Sequence, residues 1–345
     1  MALALRVSYA VRVPLPARAV NASRRRAMLD LSRQPSALAF NGIRVDLAEL
    51  IAMRLQAYRF ERATRKRVIG SRGAAHASRM RGRGVDYAES RNYQPGDDIR
   101  QMDWRVTART GRPHTKLFQE ERERNVLLVV SHNPSMHFGT RVRFKSVQAA
   151  RLAALIAWAA TSNGDRIGAI GYGPGLNAEV KPGGGARGAL RVLRALREWD
   201  AIAAQGRTIV PLSQALQRAQ RLARPGTQVL LIGDGFDCDA ASESTLTLLA
   251  RHCDVAAVLV SDPLEHHAPP PARYALHSDS GRVQLDFSAA VTRTQWAHWF
   301  EERRAQWIGQ LRKRALGYTM LDTHGEPETA MRTLLQQASR RRSSA

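Results

Sequence analysis

Cysteine is nearly missing from this chain of 345 residues: Cys238 and Cys253 are the whole supply. Two thiols cannot build a disulfide framework or a four-thiolate zinc site. Long apolar runs are missing too. The longest is Leu152–Ala160, against the roughly 20 residues that a membrane-spanning helix needs. No glycine-rich Walker loop, no G-x-S-x-G elbow and no H-E-x-x-H occurs, which removes the main support for nucleoside triphosphatase, serine-hydrolase and zincin readings. Lysine is scarce, with only Lys66, Lys116, Lys145, Lys181 and Lys313. Acid is also in short supply: 30 Asp and Glu face 53 Lys and Arg, a net charge of +23.

What is present is an apolar fraction of 44%, ordinary for a globular chain and too high for a disordered one. The length suggests about two domains. The basic excess is uneven. Residues 1–84 hold 18 Arg and Lys against four acids, so an N-terminal arm carries +14 of the total. Such an arm suits nucleic acid, anionic lipid or an acidic protein face. Residues 1–40 are expected to be poorly ordered. Their composition is like that of a transit peptide, but Arg6 and Arg12 break any secretory core. Residues 339–345 form a basic tail.

Residues 42–60 fit a short strand and then a helix, and 70–84 read as a loop. From residue 125 the pattern changes. Val126–Val130 is a continuous β-branched run, as in a strand buried on both faces of a parallel sheet. Helices are expected at 145–162, 188–199, 212–223, 241–252, 294–316 and 327–338. Strands are expected at 167–172, 178–181, 228–233, 255–260, 282–287 and 318–321. Alternating strands and helices imply a doubly wound, mostly parallel α/β sheet over 125–338, preceded by a smaller segment at 41–124. Ligands of such sheets bind at the carboxyl ends of the strands. Two ends stand out here: Ser131-His132-Asn133-Pro134-Ser135, and Gly233-Asp234-Gly235-Phe236-Asp237-Cys238-Asp239. The triplet Trp296, Trp299 and Trp307 shares a helix face and reads as core packing. His252 and Cys253, and His266 and His267, read as a helix end and a loop.

The most distinctive stretch precedes the sheet. It contains Arg91, Tyr93, Pro95, Gly96, Asp97, Asp98, Asp103, Trp104, Arg105 and Arg109. Pro95-Gly96 is a turn pair, and Asp97 or Asp98 can cap the turn that follows. Alternating carboxylates and guanidiniums permit bidentate pairs, either as a clamp on the chain itself or as a site for a partner or anion.

This stretch resembles the domain of unknown function 58 family. The resemblance continues through Thr115–Arg124, Met136–Thr140, Lys145-Ser146 and Gly164–Gly168, and covers roughly residues 40–335. It implies a von Willebrand factor A-like fold for the sheet. It also implies a role as partner or adaptor of a MoxR-type AAA+ ATPase in chaperone-like complex maturation. Von Willebrand A-like domains often hold a divalent cation through D-x-S-x-S after the first strand, a threonine from a second loop and an aspartate from a third. Here Ser131 stands in place of the first aspartate and Asn133 in place of the first serine. Ser135 matches, no threonine occurs near 183–187, and Asp234 is retained. With one carboxylate in place of two, the expectation is a degenerate ion site and no cofactor, with Mg²⁺ a weak alternative. The leading expectation is thus a non-enzymatic, cytoplasmic protein-interaction module with no transmembrane segment. Two other readings stand beside it: nucleic-acid binding through the basic arm, and a metal-dependent enzyme at Asp234, Asp237 and Asp239.

Overall fold

The computed structural model describes residues 42–70, 86–94, 97–119, 123–278 and 281–343. The basic arm at 1–40, residues 71–84 of the expected loop, the Pro95-Gly96 turn and the last two residues of the tail lie outside the described residues. Among the described residues, no helix is long and apolar enough to cross a membrane.

The chain divides into two compact units, Glu61–Glu123 and the remainder. The first is shorter than the 41–124 segment expected. Residues 42–60 belong with the sheet because Leu50, Met53 and Ala57, on helix α1 (Leu47–Gly70), are buried in the sheet unit's core. Trp158 Nε1 also donates to the Leu50 carbonyl at 3.0 Å. Among the described residues no strand precedes α1: residues 42–44 form a bend and Val45 N donates to Asp200 Oδ2. Helix α1 also runs past the expected end to Gly70.

The Glu61–Glu123 unit is built on an antiparallel hairpin of β1 (Asp86–Asn92) and β2 (His114–Gln119). A 3₁₀ turn, Ile99–Gln101, and helix α2 (Trp104–Thr110) connect the two strands. Polar alternation along this stretch hid the strands, because neither strand carries the apolar period of a half-buried face.

The sheet unit begins with β3 (Asn125–Ser131), followed by α3 (Lys145–Ser162), β4 (Arg166–Gly173), β5 (Leu176–Gly183) and α4 (Gly185–Ala203). Next come α5 (Leu212–Leu222), β6 (Gln228–Gly233), α6 (Ala240–Ala250), β7 (Asp254–Ser261) and the single turn α7 (Pro263–His266). A small hairpin, β8 (Arg273–Ser278) and β9 (Gly281–Asp286), precedes α8 (Ala290–Lys313), β10 (Gly317–Asp322) and α9 (Pro327–Ser343). The expected strand at 282–287 is thus one arm of a hairpin outside the main sheet.

Six strands form that sheet in the order β10-β7-β6-β3-β4-β5, all parallel except β5, which runs antiparallel to β4. The apolar run on β3 divides by strand alternation. Val126, Leu128 and Val130 join one core with α1, α3, α4 and α9, while Leu127 and Val129 join the other with α5, α6 and α8. Helix α3 is buried along most of its length, from Lys145 to Ala160, which explains its alanine-rich, all-round apolar sequence. Gly171 lets α4 approach β4 closely: a Cβ there would lie 2.4 Å from the Trp199 ring.

The strand order reverses direction between β3 and β6. Beyond β3 the chain winds toward β4 and β5, and beyond β6 toward β7 and β10. A crevice at the carboxyl ends of these two neighbours is where ligands of open α/β sheets bind. Ser131 ends β3, and Asp234 follows β6.

Candidate functional site at the strand ends

The crevice is lined by polar side chains that are all buried: Ser131, Asn133, Asp234 and Asp237, with Lys145 from the first turn of α3 and Glu265 from α7. Gly235 makes the loop after β6 possible. Its φ is +78°, and a Cβ would lie 2.6 Å from Trp307, so glycine is required on two counts. The loop thereby turns Phe236 against Trp299 and Phe300, and Asp237 back toward β3.

Two closed sets of contacts result. In the first, Ser131 Oγ and Asn133 Nδ2 both donate to Asp237 Oδ2, at 2.9 and 2.6 Å. Asn133 also bridges the Val210 backbone, with Nδ2 to the carbonyl at 2.9 Å and Oδ1 from the amide at 2.8 Å. Burial, together with the nearby Asp234 charge, pushes the Asp237 carboxyl up to about 6 against the pull of these donors. In the second set, Lys145 Nζ donates to Asp234 Oδ2 at 2.8 Å and to Glu265 Oε1 at 2.5 Å, and lies 5.0 Å from the centroid of the Phe236 ring. Burial by itself would lower the Lys145 pKa, but Asp234 and Glu265 outweigh it and hold the ammonium well above the ordinary lysine value. Burial raises the Glu265 carboxyl above its ordinary value, against the pull of the Lys145 ammonium. Each carboxylate is anchored further: Asp234 Oδ1 accepts from Phe236 N, and Glu265 Oε2 from Asp262 N.

Ser131, Asn133 and Asp234 therefore meet in one crevice, as their places at strand ends imply, but they do not converge on one point. Ser135 lies half-buried in the single turn Pro134–Met136. Asp239 faces away, capping α6 through Ser242 N at 3.0 Å and accepting from Ser213 at 2.7 Å. Asp234, Asp237 and Asp239 thus serve three separate partners. Among the described residues, no group of three or more His, Cys, Asp or Glu is arranged to hold a metal ion. These residues do not fit a divalent cation: such an ion needs several oxygen lone pairs and balancing carboxylates, whereas Asn133 Oδ1 is taken by the Val210 amide, Asp237 Oδ2 by Ser131 and Asn133, and Asp234 Oδ2 by a fixed ammonium.

Sequence reasoning missed Lys145 and Glu265, which stand 89 and 31 residues from Asp234. A lysine at the first turn of a buried helix was the available signal, because lysine is rarely buried unless paired.

A second polar cluster at the ends of β7 and β10 also escaped it. Ser261 Oγ donates to Asp322 Oδ1 at 2.6 Å, and His266 Nε2 lies 3.0 Å from that hydroxyl and 3.1 Å from the carboxylate. Arg304 donates to His266 Nδ1 at 2.7 Å. Arginine has no acceptor, so Nδ1 is the unprotonated nitrogen and Nε2 carries the hydrogen. The imidazole is therefore a donor toward Ser261 and cannot act there as its base. This is a structural network that ties α7 and α8 to β10, and not a nucleophile relay.

In the Glu61–Glu123 unit, the carboxylates act as a clamp. Asp97 accepts from Arg91 at 2.6 Å, Gln94 N at 3.0 Å and Thr115 Oγ1 at 3.4 Å. Asp98 caps the 3₁₀ turn, and Asp103 caps α2 through Val106 N while accepting from Ser90 at 2.6 Å. Hydrogen bonds, that of Gln94 N foremost for Asp97 and that of Ser90 foremost for Asp103, hold both carboxyls below the usual range. Tyr93 N donates to the Pro113 carbonyl. The clamp leaves Trp104 65% exposed and Ile99 61% exposed, with Arg100, Arg105 and Arg109 also exposed.

A mostly parallel six-stranded α/β sheet with a small hairpin unit spliced in before it, and a strand-end crevice closed by its own ion pairs, defines the class of protein. The chain belongs to the family described as protein of unknown function DUF58, whose model matches residues 89–306. It is 30% identical over 228 residues to uncharacterized proteins of Mycobacterium tuberculosis and Mycobacterium bovis, covering 66% of this chain and 71% of each relative. Among solved structures, the conserved hypothetical protein BatB from Bacteroides thetaiotaomicron superposes with a TM-score of 0.42 at 16% identity, over 63% of this chain and 99% of that one. The pilus adhesin SpaC from Lactobacillus rhamnosus GG gives 0.35 at 11% identity, over 64% of this chain and 31% of that one.

Proposed function

We propose that this chain is a non-enzymatic protein-interaction module of von Willebrand factor A-like type, which docks on a MoxR-type AAA+ ATPase as an adaptor in complex maturation. One observation carries the reading. The polar side chains lining the crevice are spent on one another, with Asp237 taken by Ser131 and Asn133 and Asp234 by Lys145, so no nucleophile–base pair remains there for chemistry. The conspicuous outward features are instead apolar and cationic: Trp104 and Ile99 among Arg100, Arg105 and Arg109. An aromatic anchor beside arginines is the composition of an interaction hot spot. Cytoplasmic action beside such an ATPase belongs to the same proposal.

The test is co-purification of the chain with a MoxR-type ATPase from the same genome, held in its ATP state by a hydrolysis-deficient variant. Capture that depends on ATP and falls at least tenfold in Trp104→Ala is the expected result. No capture in any nucleotide state overturns the proposal.

A further inference from the structure

We infer that Lys145 is a resident cation: its ammonium does in this crevice the electrostatic work that a bound divalent ion would otherwise do, so the strand-end surface is organised without any metal. The three residues involved come from three separate elements, the first turn of α3, the loop after β6 and the single turn α7. Their exposures are near zero: 0% for Lys145, 5% for Asp234 and 4% for Glu265. Two buried carboxylates brought together need a positive charge between them, because like charges in a low dielectric repel strongly. The ammonium supplies it at 2.8 and 2.5 Å, distances of charge-assisted hydrogen bonds. It is a covalent part of the chain and cannot dissociate. A divalent ion would have to enter beside that fixed charge and displace it from both oxygens.

Two consequences follow. Nothing that removes divalent ions should loosen the loop after β6, and partner docking on this surface cannot use an ion bridged between the two proteins. Conversely, removing the ammonium leaves Asp234 and Glu265 as two facing carboxylates in a space the size of a lysine terminus, a latent site for a hard divalent cation such as Mg²⁺, Mn²⁺ or Ca²⁺. The inference concerns the charge balance of the crevice and holds whichever partner docks, so failure to capture an ATPase would leave it standing.

Thermal melting of the full chain tests it, with the metal alone as probe. Wild type should melt at the same temperature in EDTA and in about 5 mM Mg²⁺ or Mn²⁺. Lys145→Ala should melt about 10 °C lower in EDTA. Mn²⁺ at about 5 mM should then restore about 5 °C of that loss. The double variant Lys145→Ala/Asp234→Asn should lose this response. A rise in the wild-type melting temperature with Mg²⁺ or Mn²⁺ that Asp234→Asn abolishes would overturn the inference, as would a folded Lys145→Ala that ignores every divalent ion. If Lys145→Ala does not fold in EDTA, refolding it from urea reads the same quantity: recovery with Mn²⁺ but not with EDTA supports the inference, and recovery in neither sinks it.

Discussion

Two buried groups on this fold should push stability in opposite directions across one pH range. Asp237 is raised to about 6 by burial and by Asp234, above an ordinary value near 4. A carboxyl raised in the folded state binds its proton more tightly there than in the unfolded chain. Stability from this group is therefore greatest below about pH 4 and falls as pH climbs through 6. Two pH units at about 1.4 kcal/mol each come to about 3 kcal/mol. His132 does the reverse. Both ring nitrogens are buried, and neither has a hydrogen-bond partner among the described residues; the ring packs edge-on to Trp199 at 6.1 Å. Burial, aided by His137 and opposed by Asp200, lowers its pKa to about 4 from an ordinary 6.5. The unfolded chain takes up that proton first, so His132 costs the fold about 3 kcal/mol as pH falls from 6.5 to 4. In wild type the two slopes largely cancel. Single variants should expose them. His132→Phe removes the rising slope, so that relative to wild type it loses about 3 kcal/mol between pH 4 and 6.5. Asp237→Asn, whose amide oxygen still accepts from Ser131 and Asn133, should gain about 3 kcal/mol over the same interval. Urea unfolding followed by far-ultraviolet circular dichroism at half-unit pH steps measures both, and subtraction of wild type removes the other titrating groups. Difference curves that stay flat within about 0.5 kcal/mol from pH 4 to 6.5 would refute the burial argument for that residue.

Other expectations are simpler. Leu128→Ala, at a fully buried position of the central strand, should cost about 2–5 kcal/mol in urea unfolding. Gly235→Ala should cost about 2–4 kcal/mol, since the added Cβ meets both a positive φ and the Trp307 ring, and the loss should be partly relieved by Trp307→Leu. Asp103→Ala should destabilise the Glu61–Glu123 unit by about 1 kcal/mol through loss of the α2 cap, read by faster local hydrogen exchange at Val106. Trp104→Ala should leave stability within about 0.5 kcal/mol of wild type while capture of the proposed ATPase falls at least tenfold, which separates the exposed ring from the buried aspartate beside it.

The division between sequence and tertiary structure follows a physical line. Where burial is two-sided and continuous, as in Val126–Val130 and α3, or periodic over several turns, as in α5, each element is written in its own residues and could be read without neighbours. The helix at 145–162 and the strand at 228–233 coincide with the observed elements. Cap chemistry is equally local: the sequence narrowed the cap of the turn after Pro95-Gly96 to Asp97 or Asp98, and the fold assigns it to Asp98. The β1–β2 hairpin was not, because neither strand carries the apolar alternation of a half-buried face and its contacts are polar. The strand-end crevice shows the same limit. Ser131, Asn133 and Asp234 could be placed there from the strand pattern, and the shortage of carboxylate was visible in their identities. That Asp237 would turn back onto β3, and that Lys145 and Glu265 would close around Asp234, depended on four segments, β3, α3, the loop after β6 and α7, meeting in space. Charge pairing of that kind is a property of distances in the fold, and only the packed sheet decides them.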